Sequence, residues 1–99
     1  MDIKTKVYQI VAKIPVGRVA TYGLIARLAS THPRAIGRLL HLNDDPIATP
    51  CHRVVNWKGN LSRSYRFGGI DGQAKRLRAE GVSLEGEKIE LKKYLWETR

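Results

Sequence analysis

Ninety-nine residues suffice for one compact domain with a modest core and leave no room for a second catalytic lobe, so any chemistry must fit in one unit. An apolar fraction of 42% with 27% charged residues is that of an ordinary globular chain; no apolar run approaches membrane-spanning length, and Met1-Asp2-Ile3-Lys4 lacks the layout of a signal peptide, so a cytoplasmic protein is expected. The net charge is +9: residues 3–43 hold seven Lys or Arg and no Asp or Glu, and residues 46–70 hold Arg53, Lys58, Arg63 and Arg66 without an acid, a field that suits a phosphate backbone, although a solvated basic surface has the same composition.

In chain order, Ile3, Val7, Ile10, Val11 and Ile14 recur at helical spacing with Lys4, Lys6 and Lys13 elsewhere around the wheel, which predicts a first helix ending at Pro15. Val16-Gly17-Arg18 reads as a turn. Thr21 is placed to cap a short second helix that carries Leu24, Ile25 and Leu28 and stops near Ser30. Thr31 or His32 can cap the next helix, with Pro33 in its first turn, where a missing N–H costs nothing; it runs through Arg34, Ile36, Leu39 and Leu40 to about Leu42. Two short helices separated by Ala29-Ser30-Thr31-His32 read as a helix-turn-helix whose second member faces DNA.

Asn43-Asp44-Asp45-Pro46 is a turn cluster and residues 47–50 a loop. Arg53-Val54-Val55, Asn56-Trp57-Lys58-Gly59 and Asn60-Leu61-Ser62 read as a small hairpin of the kind that forms a DNA-binding wing. Asp71 can cap a further helix through Ala74, Leu77 and Glu80, stopped by Gly81. Ile89, Leu91, Tyr94, Leu95 and Trp96 in the tail are expected to pack back on the core. The expected fold class is mainly α: a winged helix-turn-helix with a small β-hairpin wing, residues 1–99 forming one domain, and a monomer.

The one cysteine, Cys51, can form no internal disulfide and no cysteine-based zinc cluster, so it serves either packing or chemistry. A thiol attacks carbon as the thiolate, and a pKa of about 8.5 leaves only a few per cent ionised at neutral pH, so a group nearby must take the proton. Adjacent residues of a strand point opposite ways, so neighbourhood alone does not pair His52 with Cys51.

Pro50-Cys51-His52-Arg53-Val54 resembles the active site of the O6-alkylguanine-DNA alkyltransferase family, with all five residues matching. Gly17-Arg18-Val19-Ala20-Thr21-Tyr22 is similar to the family's run into its helix-turn-helix, Arg34-Ala35-Ile36-Gly37 to its recognition helix, Tyr65-Arg66-Phe67-Gly68 to its binding loop, and Leu77-Arg78-Ala79-Glu80-Gly81 to the helix end that supplies a glutamate. The resemblance covers nearly the whole chain. It implies that Cys51 takes an alkyl group with no cofactor, through a relay in which Glu80 orients His52 and a water links His52 to the thiol.

Because guanine O6 lies within the stack, the base must be turned out of the duplex. The resemblance implies that Arg34 enters the vacated space, although an ordinary helix-turn-helix arginine would touch phosphate or a guanine edge. Small Ala35 and Gly37 would let the helix lie close against the minor groove, with Arg38 on the same DNA-binding helix. Tyr22 would press on the neighbouring phosphate and offer its hydroxyl to guanine, while a tyrosine at a helix start also serves as half-buried packing. Asn43 would bridge the recognition helix to the reactive loop, or simply end the helix. Tyr65 and Arg66, with Pro50 and Arg53, would line the base pocket. Trp57 stays unassigned between surface and core, and His32 and His41 suit capping or solvated roles better than a metal site.

Members of that family usually carry an extra N-terminal domain. The short frame, and the tail Lys88-Ile89-Glu90-Leu91-Lys92-Lys93-Tyr94-Leu95-Trp96, resemble instead the alkyltransferase-like proteins, which grip alkylguanine but have Trp or Ala in place of the cysteine. Ala48-Thr49 replaces a more apolar approach to Pro-Cys, and Arg66 stands where some relatives carry a small residue that donates to the lesion. Two functions follow. One is a DNA repair protein that flips O6-alkylguanine out of double-stranded DNA and transfers the alkyl group irreversibly to Cys51. The other is a protein that binds the lesion without transfer and recruits excision-repair proteins. A winged-helix transcription factor would explain the charge but leaves the Pro50 to Val54 run and Glu80 without a reason.

Overall fold

Residues 1–98 are described by a computed structural model. Helix α1 (Ile3–Ala12) begins where the Asp2 carboxylate accepts from Thr5 N at 2.7 Å, and it turns Val7 and Val11 fully inside, with Ile14 just beyond. Helix α2 (Tyr22–Ala29) is capped by the Thr21 hydroxyl, which accepts from Leu24 N, and it stops at Ser30 in a left-handed conformation (φ 59°). Helix α3 (Pro33–His41) has Pro33 at its first position and His32 as its cap, with Nδ1 accepting from Ala35 N at 3.3 Å, which decides between Thr31 and His32. Ile25, Ala26, Ala29, Ile36 and Leu40 close the three helices on one core that also takes in Cys51 and Val54. The helix-turn-helix is therefore present, with its second helix presented on one side of that core.

Strands β1 (Ala20–Thr21) and β2 (Val54–Val55) pair in parallel, Ala20 with Val54 and Thr21 with Val55. Their alternation feeds two interiors. Ala20 and Val54 join the helical core, while Val19 and Val55 join a second cluster with Leu61, Ala74, Leu77, Val82 and Ile89. The tail packs back as expected: Val19 N donates to Tyr94 O at 2.9 Å and Trp96 N to Val19 O at 2.7 Å. Strands β3 (Leu84–Glu85) and β4 (Lys88–Ile89) form an antiparallel hairpin, followed by the short helix α5 (Leu91–Tyr94).

Two local expectations are corrected. The ladder expected between the two arms of residues 53–62 does not form there: the chain reverses over residues 56–60, but both residues of β2 are fully buried and take β1 as their partner, while Asn60 bridges to Lys88. A fully apolar, two-residue strand gains more from an interior partner than from polar Asn60 and Ser62. Helix α4 (Gly69–Ala79) starts two residues before Asp71. Gly68, at φ 113°, takes the cap position, and Asp71 stands in the first turn, where its charge suits the helix N-terminus. The entry is so tight that a Cβ on Gly72 would lie 2.3 Å from Phe67 O. Gly81, at φ 89°, ends the helix just after Glu80. No helix among the described residues is long and apolar enough to cross a membrane.

Candidate active site and nucleic-acid interface

Cys51, His52 and Arg53 form a 3-10 turn rather than a strand, so three consecutive side chains fan out to three different neighbours. Cys51 faces a cleft of about 560 Å³, walled among others by Tyr22, Arg34, Gly37, Tyr65 and Arg66. Cys51 is 6% exposed, and its thiol accepts from Asn43 Nδ2 at 3.4 Å; the same amide donates to Thr49 O at 2.9 Å, and Asn43 Oδ1 accepts from Asp45 N. Asn43, just past α3, thus ties the end of that helix to the loop that carries Cys51. Burial pushes the Cys51 thiol up, and the Asn43 amide offsets part of that rise. At neutral pH the resting group is a thiol, and its use as a nucleophile needs a base.

His52 is the neighbour that can be one. Its Nε2 lies 2.9 Å from Glu80 Oε2, while Nδ1 is buried with no hydrogen-bond partner among the described residues. A carboxylate only accepts, so Nε2 carries the proton and, in the neutral ring, Nδ1 keeps its lone pair. Burial lowers the proton affinity of His52 against the pull of Glu80, which keeps the ring neutral. Arg53 grips Glu80 with a two-pronged bond, Nε to Oε1 at 2.9 Å and Nη2 to Oε2 at 2.6 Å, and its Nη1 donates to Ile14 O at 2.8 Å. Burial works to raise the Glu80 carboxyl, but the bonds from Arg53 and His52 outweigh it and hold Glu80 below its ordinary value.

Cys51, His52, Glu80 and Asn43 are therefore brought together. Tyr22 opens α2 half-buried at the cleft, its phenol pushed up by burial and partly relieved by Ser62. Arg34 is exposed in the first turn of α3, and a Cβ on Gly37 would meet nothing within 4 Å, so this stretch of the cleft wall is open. Ala35 is half-buried and Arg38 exposed on the same helix, outside the cleft lining. The Tyr65 phenol is buried with no hydrogen-bond partner among the described residues, and burial pushes it up to about 12. Arg66 lines the cleft and donates to Asn43 O at 2.9 Å.

Two assignments move. Arg53 does not line the base pocket, because its guanidinium is held by Glu80 and the end of α1; Pro50 is buried at the start of the 3-10 turn, where its carbonyl accepts from Arg53 N at 3.0 Å, and it too lies outside the cleft lining. Sequence reasoning also missed Gln73. It is 1% exposed, donates to His52 O at 3.1 Å and Val54 O at 3.0 Å, and accepts from Ser62 N at 2.8 Å, which fastens the reactive turn, β2 and one wall of the cleft to α4. A signal was present: Gln73 falls on the stripe Ile70, Ala74, Leu77, a polar residue on an apolar helix face.

The second helix of a helix-turn-helix walling the cleft that Cys51 faces, with the His52–Glu80 pair directly behind that cysteine, defines a helix-turn-helix protein with a built thiol site. Residues 2–82 match the family described as 6-O-methylguanine DNA methyltransferase, DNA binding domain, and the chain belongs to that family. It is 39% identical over 103 residues to alkyltransferase-like protein 1 of Schizosaccharomyces pombe, covering 96% of this chain and 94% of that one. It is 43% identical over 97 residues to the DNA base-flipping protein of Escherichia coli K12, covering 92% and 71%. Against the methylated-DNA–protein-cysteine methyltransferase of Methanothermobacter thermautotrophicus it is 37% identical over 86 residues, covering 87% of this chain and only 48% of that protein, about half its length. Among solved structures, S. pombe Atl1 in complex with damaged DNA containing O6-carboxymethylguanine superposes with a TM-score of 0.85 at 34% identity over 97% of this chain and 95% of that one. The O6-methylguanine-DNA methyltransferase of Pyrococcus kodakaraensis gives 0.71 at 36% identity over 83% and 47%.

Proposed function

We propose that this protein acts in the cytoplasm as a single-domain DNA repair protein that turns O6-alkylguanine out of duplex DNA into the cleft and takes the alkyl group irreversibly onto Cys51. The observation that carries this reading is the joint placement of Cys51 in the cleft and of a neutral His52 pinned by Glu80, with Nδ1 buried and without a partner among the described residues. The thiol proton passes toward His52 Nδ1 by way of a water. The thiolate attacks the alkyl carbon; the S–C bond forms as the C–O6 bond breaks, and the electron pair goes to the guanine, which takes up a proton. A thioether and an unmodified guanine remain, so each molecule works once. Arg34 fills the gap left in the stack, and Tyr22 and Tyr65 bound the displaced base. The test is intact-mass spectrometry after incubation with an O6-methylguanine oligonucleotide. One methyl in place of one hydrogen, absent in Cys51→Ser, is expected; folded, DNA-bound protein with no added mass overturns the transfer.

A second reading is favoured by the identity to alkyltransferase-like protein 1 over nearly both full lengths and by the burial that keeps Cys51 protonated. There the chain binds the lesion without transfer and hands it to excision repair. It predicts tighter binding to alkylated than to plain duplex, retained in Cys51→Ala, with no mass gain in the unaltered chain.

A further inference from the structure

Trp57 is 75% exposed, and the Lys58 ammonium lies 5.0 Å from the centre of its ring. Its exposure is not that of a loose loop. Asn56 Oδ1 accepts from both Lys58 N and Asn60 N at 2.9 Å, and Gly59 N donates to Asn56 O at 2.9 Å. Beneath the tip, Ile89 N donates to Gly59 O at 2.9 Å, and Gly59 sits so close to β4 that a Cβ would lie 2.3 Å from Ile89 O. The turn is bolted to the hairpin and holds a large apolar ring in water, at a standing cost that a ligand can remove. The ring lines the same cleft as Cys51, Tyr22 and Arg34.

We infer that Trp57 is a stacking platform for the nucleotide displaced into this cleft, with Lys58 set against a flanking phosphate. Charge selects the occupant: Lys58 and Arg63 stand exposed and Arg66 lines the cleft, with no acid between residues 46 and 70, so the partner is a polyanion, and the polyanion that also offers flat faces to an indole is a nucleic acid with an unstacked base. The inference rests on the reading of the cleft as the receptacle of an extruded base, and it needs no reaction at Cys51.

Fluorescence anisotropy with a labelled duplex tests it. Trp57→Ala is expected to weaken binding to duplex containing O6-methylguanine about tenfold, with a much smaller change on plain duplex, while Trp57→Phe keeps most of the affinity. The melting temperature stays put in both variants, since the ring packs into no core. Lys58→Ala flattens the salt dependence by about one phosphate contact. Emission from Trp57, isolated from Trp96 by difference against Trp57→Phe, is quenched on binding. If the unaltered chain prefers the lesion and Trp57→Ala keeps both affinity and preference, the inference fails and the reading of the cleft stands. An unaltered chain with no lesion preference overturns both.

Discussion

The side chains of Asn43, Gln73, Glu80 and Arg53 pack behind Cys51 and commit their polar atoms to one another, to Cys51 and His52, or to backbone, whereas Arg34, Arg38, Trp57 and Lys58 stand in solvent. The rear network is complete before DNA arrives; the front needs DNA to complete it. His52 Nδ1 and the Tyr65 hydroxyl lie on the boundary, buried yet without a hydrogen-bond partner among the described residues. A polar atom in that condition costs free energy in the resting protein. Substitutions behind the turn should therefore change stability and thiol chemistry, and substitutions in front should change affinity and salt dependence alone.

The largest effect expected is at Glu80. Glu80→Gln removes the charge that His52 and Arg53 share and leaves the Arg53 guanidinium, 12% exposed, without its counter-ion. Removing one partner of a largely buried pair costs about 3 kcal/mol, which urea unfolding reads as a lower midpoint at unchanged slope. Transfer to Cys51 should fall with it, because an amide can donate as well as accept and so no longer fixes the His52 tautomer as the carboxylate does. A midpoint equal to that of the unaltered chain would mean that the rear network does not carry stability, and the contrast with the front would collapse.

A pH titration sharpens the same contrast without a substitution behind the turn. Burial holds His52 below its ordinary value of about 6.5, and Arg53 and His52 hold Glu80 below its ordinary value of about 4.5 despite burial. Both groups therefore bind protons more readily in the unfolded chain, so stability is full above about 6.5 and declines as pH falls. The first part of the loss comes as the unfolded chain protonates its imidazole, and the second as the carboxyl takes its proton below about 4.5. Urea midpoints from about pH 8 down to 4 should trace both steps, with the first removed in His52→Gln. A flat profile between about pH 7.5 and 5.5 would show that His52 is not held neutral.

The parts of the molecule that were legible in the sequence are the ones written in local chemistry. Thr21 and Pro33 mark helix starts because an orphaned N–H is satisfied, or absent, there and nowhere else along those helices. Strands β1 and β2 were not legible, since two residues give no alternation to read and their pairing partners are 34 positions apart in the register Ala20 with Val54. Arg53 was misplaced for a related reason: its neighbour Cys51 faces the cleft, but the 3-10 turn sends Arg53 toward α1 and α4, and no pattern over five residues distinguishes that from a strand. Gln73 was passed over because its partners are backbone atoms of distant segments, which carry no side-chain signature.

The smallest effects expected separate two arginines on one helix. Arg34 lines the cleft and Arg38, a turn further on, does not, and both are exposed. Arg34→Ala should leave the melting temperature unchanged and, if Arg34 fills the gap in the stack as proposed, reduce the preference for O6-methylguanine over plain duplex. Arg38→Ala should also leave stability alone, but it should weaken both duplexes alike and lower the salt slope by about 0.9, the signature of one lost phosphate contact. Anisotropy titrations at three salt concentrations on the two duplexes read all four quantities. If Arg38→Ala erodes lesion preference as much as Arg34→Ala does, the cleft is not the discriminating surface, and recognition is spread along the whole exposed face of α3.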